Sequence, residues 1–413
     1  MTGLMPLHHD GTNRFPAINA LLEEKMIGRA ASRYRIASAG VLFAVGLALL
    51  LSAGPADAQA ILKISDTAFL RFGALLQPQA DWMELTNSTN TDTIGYQQNF
   101  FIRRARIYFA GRVTKDVYFY FCTENANLGK NKTGTSALGS GFQLLDGFGE
   151  WRLSEYFVLD GGLMRVPYAR EALKAAPSQF TLDTSAYNYL QSSATGSTGG
   201  NRDTGFLIRG YFLDRRLEYR AGAFQGVRLT GSHNPFRFAG RLQYSFLDKE
   251  DMLAPGSTYS LSYPGSYLGD KRVLALGAAF DTQLDYNYYS ADLYASIPTG
   301  KSGAIESTLQ YQYISGGKTF ATLPTQNTFM LEGGYYFKSA KLAPLARYEQ
   351  RVYNGMAMVS PTQTFRNEFR WGVGLNWYPF KFNMNAKAYY TRIEPKVGVA
   401  TNQFSVQLQF YYF

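Results

Sequence analysis

The sequence is poor in the residues on which most catalytic and metal sites depend. Its 413 residues include one cysteine, Cys122, and three histidines, of which only His233 lies beyond residue 58. One cysteine excludes an internal disulfide framework, and with a single histidine it cannot complete a zinc site. A histidine-dependent hydrolase is also disfavoured, because His233 falls in the turn-like stretch 231–235. The sequence therefore predicts no enzyme, no cofactor and no metal ion.

Long apolar runs are equally scarce. The one candidate, residues 36–51, follows an arginine-rich stretch at 29–35 and precedes a small-residue site that ends at Ala58, which is the order of a secretory signal. We predict that residues 1–58 are a signal peptide cleaved after Ala58, with Met26 as an alternative start; an uncleaved anchor is the competing interpretation. Residues 59–413 contain no further run long enough for a membrane helix, so we expect one domain without helical spans.

The sequence is rich in aromatic residues and glycine, and its apolar and polar residues alternate along the chain. Tyrosine and phenylalanine number 30 each against 4 tryptophans, and there are 40 glycines. In residues 100–113, Phe101, Ile107 and Phe109 share one parity, whereas Arg104 and Arg106 share the other. The same alternation recurs to the C-terminus, and it predicts an apolar face toward lipid and a polar face toward a lumen. An exported β-sandwich would also alternate, but its outer face rarely carries so many aromatic residues.

The alternating segments number about sixteen, each near the ~10 residues that a tilted membrane strand needs, so we predict an all-β fold, a transmembrane antiparallel β-barrel. Tight links alternate with long polar stretches, as periplasmic turns alternate with external loops, which places both termini in the periplasm. The long stretches are expected at 81–99, 125–141, 167–202, 227–235, 315–326, 353–364 and 393–401. One irregularity interrupts the scheme: 248–270 is long where a tight turn is due, and 283–286 is tight where a loop is due. We interpret 248–270 as a long periplasmic connection.

The last strand ends on an aromatic residue that falls on the polar face of the strand rather than on the apolar face. Phe404, Val406, Leu408 and Phe410 form its apolar face, so Phe413 shares the parity of the opposite, polar face. The usual in-phase aromatic end of an outer-membrane strand is therefore imperfect here.

Three segments resemble the phosphate-selective porin O and P family. They are residues 101–109 (FIRRARIYF), 161–168 (GGLMRVPY) and 205–210 (GFLIRG). The resemblance extends over nearly all of residues 59–413. It implies a homotrimer of sixteen-stranded barrels in which the third external loop folds inward and constricts the pore.

In this chain the constricting loop implied by the resemblance begins at Pro167-Tyr168 and carries Arg170 and Lys174. Tyr168 stands where the family usually has phenylalanine. Phosphate-specific members of the family line the mouth of the pore with lysines, and this sequence has no comparable lysine cluster in its loops.

The inward parity of the predicted strands makes the lumen cationic. Arginine suits such a position because its charge is permanent and its planar fork matches phosphate and carboxylate oxygens, and rings of arginine in a pore favour anions. The candidate pore-lining and anion-binding residues are Arg104, Arg106, Arg112, Arg209, Arg220, Arg237, Arg241, Arg366 and Arg370 from strand parity, with Arg170 and Lys174 from the resemblance. Inward carboxylates oppose them: Glu124, Glu150, Glu218, Asp292, Glu306, Glu332, Glu349 and Glu368.

Three interpretations of this lumen stay open. The arginines could pair with the carboxylates and brace an almost unselective pore, give a modest general anion preference, or form a phosphate site. We expect a passive porin for small hydrophilic solutes, anionic or neutral, in the outer membrane of a Gram-negative bacterium. Its partners would be outer-membrane lipid and two further copies of itself, and a basic excess spread by strand parity is not a nucleic-acid patch. A non-conducting structural or adhesin-type barrel is the alternative.

Overall fold

The computed structural model describes residues 60–132, 135–136, 141–190, 201–228, 231, 233–253, 261–320, 323–354 and 366–413. The predicted signal peptide lies outside these residues. The strands are β1 (Ala60–Lys63), β2 (Phe69–Thr86), β3 (Thr93–Arg112), β4 (Val117–Leu128), β5 (Asn131–Lys132), β6 (Thr135–Ser136), β7 (Gln143–Arg152), β8 (Val158–Arg165), β9 (Arg202–Phe212), β10 (Leu217–Phe224), β11 (Arg237–Ser245), β12 (Val273–Gln283), β13 (Tyr286–Pro298), β14 (Gly303–Ser315), β15 (Gln326–Phe337), β16 (Leu342–Tyr353), β17 (Glu368–Phe380), β18 (Met384–Pro395) and β19 (Thr401–Tyr412).

Sixteen of these strands close into one antiparallel barrel, which confirms the predicted fold class. Each strand pairs with its neighbour in sequence, β5 and β6 form a separate small hairpin, and β19 pairs with β2 to close the cylinder. Closure leaves no unpaired sheet edge, which is the condition for strands to cross lipid. β1 lies outside the sixteen and pairs with the start of β2. No helix among the described residues is long and apolar enough to span a membrane.

The outer surface of the barrel carries the apolar parity of the strands, as predicted. Large apolar side chains that are exposed include Ile107, Phe121, Trp151, Phe206, Phe238, Leu242, Leu276, Phe280, Leu293, Leu309, Leu331, Val373, Leu375, Phe404 and Phe410. So large an apolar surface on an isolated chain marks contact with lipid. The inward residues between them are buried and mostly polar or charged.

The connections separate into two ends of the barrel. The short-turn end holds the links 113–116, 153–157, 213–216, 299–302, 338–341 and 381–383, and the long-loop end holds 87–92, 129–142, 166–201, 225–236, 316–325, 354–367 and 396–400. The predicted irregularity is confirmed, because 246–272 is a long connection at the short-turn end and only 284–285 joins β12 to β13 at the other. The loop expected at 81–99 is wrong, since β2 and β3 continue to Thr86 and Thr93 and project as a long hairpin.

A β-bulge at Arg103 changes which residues of β3 face inward. Gln77 pairs with Arg104 whereas Pro78 pairs with Ile102, so Arg103 is an extra residue in the ladder. One extra residue reverses the parity, and Phe101 is therefore buried with the Nζ of Lys130 4.4 Å from its ring centroid. The expectation that Phe101 shares the lipid face of Ile107 is wrong for this reason.

Candidate functional site

The connection between β8 and β9 folds into the lumen, as the resemblance implies. We call its described residues, 166–190 and 201, the constriction loop. It contains a short helix α1 (Arg170–Leu173) and a 3-10 turn (Ala176–Ser178), and 166–174 is buried throughout. A connection of this length that packs so completely inside a barrel is a functional element rather than a surface loop.

The loop crosses to the far wall and is fixed there by charged side chains. The guanidinium of Arg170 makes two 2.7 Å hydrogen bonds to the carboxylate of Glu250 and a third, of 3.0 Å, to Gln243 on β11. The ammonium of Lys174 lies 2.6 Å from Glu171 and 3.2 Å from Glu332 on β15. Arg170, Lys174 and their carboxylate partners are almost completely buried, so these are ion pairs away from bulk water.

Further along, the loop is held by the bulged strand. Arg103 donates from its Nε to Asp183 at 2.7 Å, and Arg104 pairs with the other oxygen of the same carboxylate. Arg104 also donates to Gln77 at 2.8 Å. The bulge therefore turns two adjacent arginines toward one carboxylate, which a regular strand cannot do.

Beyond Asp183 the loop presents Tyr187 to the wall at the long-loop side. Its hydroxyl donates to Glu368 at 2.8 Å, and the guanidiniums of Arg351 and Arg370 lie 5.0 and 5.4 Å from its ring centroid. The hydroxyl of Tyr187 therefore has a hydrogen-bond partner, and the face of its ring makes cation–π contacts.

A second segment enters the lumen from the short-turn end. We call the described residues 246–253 and 261–272 the inner turn segment. Glu250, Tyr263 and Leu268 are buried within it. The hydroxyl of Tyr263 donates to Glu218 on β10 at 2.7 Å, and the backbone N–H of Leu268 donates to Glu306 on β14 at 2.9 Å. This connection therefore occupies lumen space rather than the surface.

The two inward segments meet in the middle of the barrel. Lys174 and Tyr263 form a parallel β-bridge, in which Ala175 N–H donates to the Tyr263 carbonyl at 2.8 Å and Tyr263 N–H donates to the Leu173 carbonyl at 2.9 Å. A Cβ on Gly265 would lie 2.7 Å from the Ser178 carbonyl oxygen, so this close approach requires glycine.

Tyr263 occupies the point at which three of the predicted anion-binding residues converge. The guanidiniums of Arg170 and Arg220 lie 4.7 Å from its ring centroid, and that of Arg241 lies at 5.5 Å. The ring thus fills the space that an anion would need to reach all three guanidiniums.

Most of the other predicted residues are inside the barrel and paired with carboxylates. The pairs are Arg106–Glu124, Arg209–Asp160, Arg209–Glu150, Arg220–Glu218, Arg237–Asp281, Arg241–Asp292 and Arg370–Glu368. Two residues are placed differently. Arg112 lies at the short-turn end and donates to the carbonyls of Asp66 and Thr67, and Arg366 is half-buried two residues before β17.

The buried charges of the barrel balance. Among the described residues, thirteen buried basic side chains stand against thirteen buried acidic ones. The parity list missed the buried wall carboxylates Asp81, Asp146, Asp160 and Asp281, and it could not include Asp183 and Glu250, which the inward segments contribute. It also missed Arg103, whose inward position depends on the bulge, and Tyr263. The only sequence signal for Tyr263 was the unexpected length of 248–270.

At least two spaces lie beside the inward segments in the described part of the barrel. A gap of about 40 Å³ is lined by Arg106, Tyr108, Arg165, Ser262 and others, and a chamber of about 330 Å³ lies on the short-turn side of it. Ser262 and three further residues border both spaces, so the two adjoin. The gap is large enough for a water molecule or a small ion.

The end of the chain borders the same gap. The Phe413 ring lies 5.2 Å from Tyr108 and 6.2 Å from Tyr120 between centroids, with the guanidinium of Arg71 4.7 Å from its own centroid. The predicted inward phase of Phe413 is confirmed.

No cluster of metal-ligating side chains is present among the residues that the structure describes. His233 is exposed in the connection between β10 and β11. Neither observation adds a reacting group to the lumen.

A closed sixteen-stranded barrel with an apolar outer surface and an inward loop has the architecture of a porin. No family model matches the chain, and no curated protein matches its sequence. Among solved structures, OmpF of Salmonella typhi in complex with daunomycin matches with a TM-score of 0.54 at 12% identity, over 84% of this chain and 98% of that one. The outer membrane channel DcaP of Acinetobacter baumannii matches with 0.54 at 8%, over 85% and 99%. The anion-selective porin of Comamonas acidovorans matches with 0.52 at 10%, over 84% and 100%.

These likenesses establish the fold of outer-membrane porins. The narrower assignment to the phosphate-selective O and P family stays a prediction.

Proposed function

We propose that this protein is an outer-membrane channel through which small hydrophilic solutes diffuse passively. The observation that carries the proposal is a charged loop fixed across a polar lumen, inside a closed barrel with an apolar outer face. Barrels of this strand number are wide enough for an aqueous path, and an inward loop narrows that path to the size of small solutes.

We further propose that the channel has a weak preference for anions. Among the buried side chains of the described residues, Arg71, Arg165 and Lys387 form no ion pair, whereas Glu306 and Glu349 are the carboxylates without one. The small excess of unmatched positive charge would raise the local anion concentration. A phosphate-specific throat has less support, because a bound phosphate needs several free donors and most of the arginine forks already hold carboxylates.

The same geometry favours one alternative, a barrel that does not conduct. Two segments joined by a β-bridge occupy part of the lumen, and one of the spaces beside them is as small as about 40 Å³. A structural barrel would tolerate such packing, and conductance distinguishes the two functions.

The test is the current and the zero-current potential of the purified protein in a planar bilayer under a KCl gradient, repeated with phosphate. We expect stepwise conductance, a small potential of anion sign and weak block by phosphate. A cation-signed potential would refute the anion preference. Folded protein that inserts without conducting would favour the structural barrel.

The remaining parts of the proposal concern placement and assembly. We propose that the short-turn end faces the periplasm, that export removes residues 1–58, and that the barrel is a homotrimer. N-terminal sequencing of protein from the outer-membrane fraction should begin at Gln59, and seminative electrophoresis should show a heat-dissociable trimer. A start elsewhere or a monomer would refute the corresponding statement.

A further inference from the structure

The inner turn segment is the feature that the predicted porin architecture does not explain. Porin-type barrels carry short turns at one end, yet the described residues 246–253 and 261–272 enter the lumen from that end. It contacts β9, β10 and β14 as well as the constriction loop. Its interior contacts are specific hydrogen bonds and a required glycine, so its position is built into the fold.

We propose that the inner turn segment is a second constriction, which sets both the width and the charge selectivity of the pore. The inference rests on the proposed channel function. Two residues of the segment have these two effects. Tyr263 narrows the pore, and Glu250 neutralises positive charge in the lumen.

The Tyr263 side chain lies where its size affects the open space of the lumen. It is fully buried between the three guanidiniums, and it lines the chamber of about 330 Å³ that adjoins the gap. The phenol is therefore packed beside this chamber. Its removal would join the space of the side chain to the chamber, whereas loss of the hydroxyl alone would free very little space.

Glu250 affects the charge of the lumen through its pairing with Arg170. This carboxylate comes from the inner turn segment and holds Arg170 of the constriction loop through two hydrogen bonds of 2.7 Å. It also accepts from the hydroxyl of Tyr267 at 2.9 Å. Without the carboxylate charge, Arg170 would lose its ion-pair partner inside the barrel, where a charge acts on passing ions more strongly than it does in bulk water.

The experiment compares four variants with the wild type in planar bilayers. Tyr263→Ala removes the ring, and Tyr263→Phe is its matched control. Glu250→Gln removes the carboxylate charge with little change of shape. Asp214→Asn is the charge control, since Asp214 is 81% exposed and pairs with the adjacent Lys249 at the barrel rim.

We expect Tyr263→Ala to raise single-channel conductance by at least about twofold, since a constriction governs ion flow. Tyr263→Phe should change it much less, because the ring stays and only the hydrogen bond to Glu218 is lost. We expect Glu250→Gln to shift the zero-current potential toward anion selectivity, with Asp214→Asn unchanged because exposed charges are screened. A wild type that conducts while neither variant differs from its control would overturn the second constriction. A wild type that is silent while Tyr263→Ala conducts would support it. Silence of every folded variant would overturn the channel itself, and the constriction with it.

Discussion

The pair Arg170–Glu250 should be costly to break because both of its side chains are buried in the lumen. The Arg170 side chain is 0% and that of Glu250 2% exposed, and the guanidinium also lies 3.9 Å from the Tyr294 ring centroid. Removing one member of a buried pair leaves the other charge without compensation, which costs about 3–5 kcal/mol. Arg170→Met should therefore lower the free energy of unfolding by about that amount, and Glu250→Gln should have a similar cost.

The double variant Arg170→Met/Glu250→Gln should lose much less than the sum of the single losses. No buried charge is then left alone, and exchanging a buried pair for neutral groups is often nearly neutral. The exposed pair Lys381–Asp270 is the control, with side chains 55% and 57% exposed. Its disruption should cost less than about 1 kcal/mol. The assay is urea unfolding in lipid vesicles, followed by tryptophan fluorescence. Additive losses in the double variant, or a loss no larger than at the control pair, would refute the reasoning.

Three further predictions follow from individual side chains. Replacing Arg104 and Arg106 together with glutamine removes two inward cations, so the zero-current potential should move toward cation selectivity; an unchanged potential in folded protein would reject their placement in the lumen. Phe413→Ala should cost about 2 kcal/mol, less than the ~3–5 of a fully buried phenylalanine, because the ring is half-buried; no change in the urea midpoint would contradict its packing. Cys122 is 1% exposed and should resist maleimide until the protein is unfolded, whereas rapid labelling of the native protein would show an open wall.

A fourth prediction concerns acid. Burial opposes ionisation of Glu250, but Arg170 outweighs it and holds the pKa of Glu250 below its ordinary value. A lowered pKa means that the pairing is fully present above the ordinary value and is lost only as pH falls through the lowered one. The Arg170–Glu250 pair should therefore stay intact from about pH 7 to pH 5, so the difference in selectivity between the wild type and Glu250→Gln should be constant over that interval. A difference that shrinks between pH 7 and pH 5 would contradict the lowered pKa of Glu250.

The barrel could be predicted from sequence because the membrane imposes a simple rule. Each strand must be apolar on one face. The outward position of residues such as Ile107, Phe238 and Val373 can therefore be predicted without knowledge of the partner strand. The irregularity at 248–270 could also be recognised in the sequence. Tight turns and long loops alternate along such a barrel, and this long connection falls where a tight turn is due. Within the wall, therefore, local pattern determines position.

The lumen could not be predicted in this way, because its contacts join distant parts of the chain. Arg170 and Glu250 are separated by 80 residues, and Arg104 meets Asp183 across 79. The bulge at Arg103 depends on the register of β2 and leaves no mark in β3 alone. Parity identified the arginines that point inward and many of the carboxylates that meet them, but not Asp183 and Glu250 of the inward segments, and so it overestimated the positive charge of the lumen.

The most direct test of the account is whether ions pass the gap beside the two inward segments. Ser262 borders that gap and can be changed to cysteine in a Cys122→Ser background, with Ser307→Cys on the outward parity of β14 as the control. An anionic methanethiosulfonate reagent should reduce the single-channel current of Ser262→Cys and leave that of Ser307→Cys unchanged. Conductance that persists unaltered while the thiol at 262 is modified would contradict a path between the inward segments and the barrel wall.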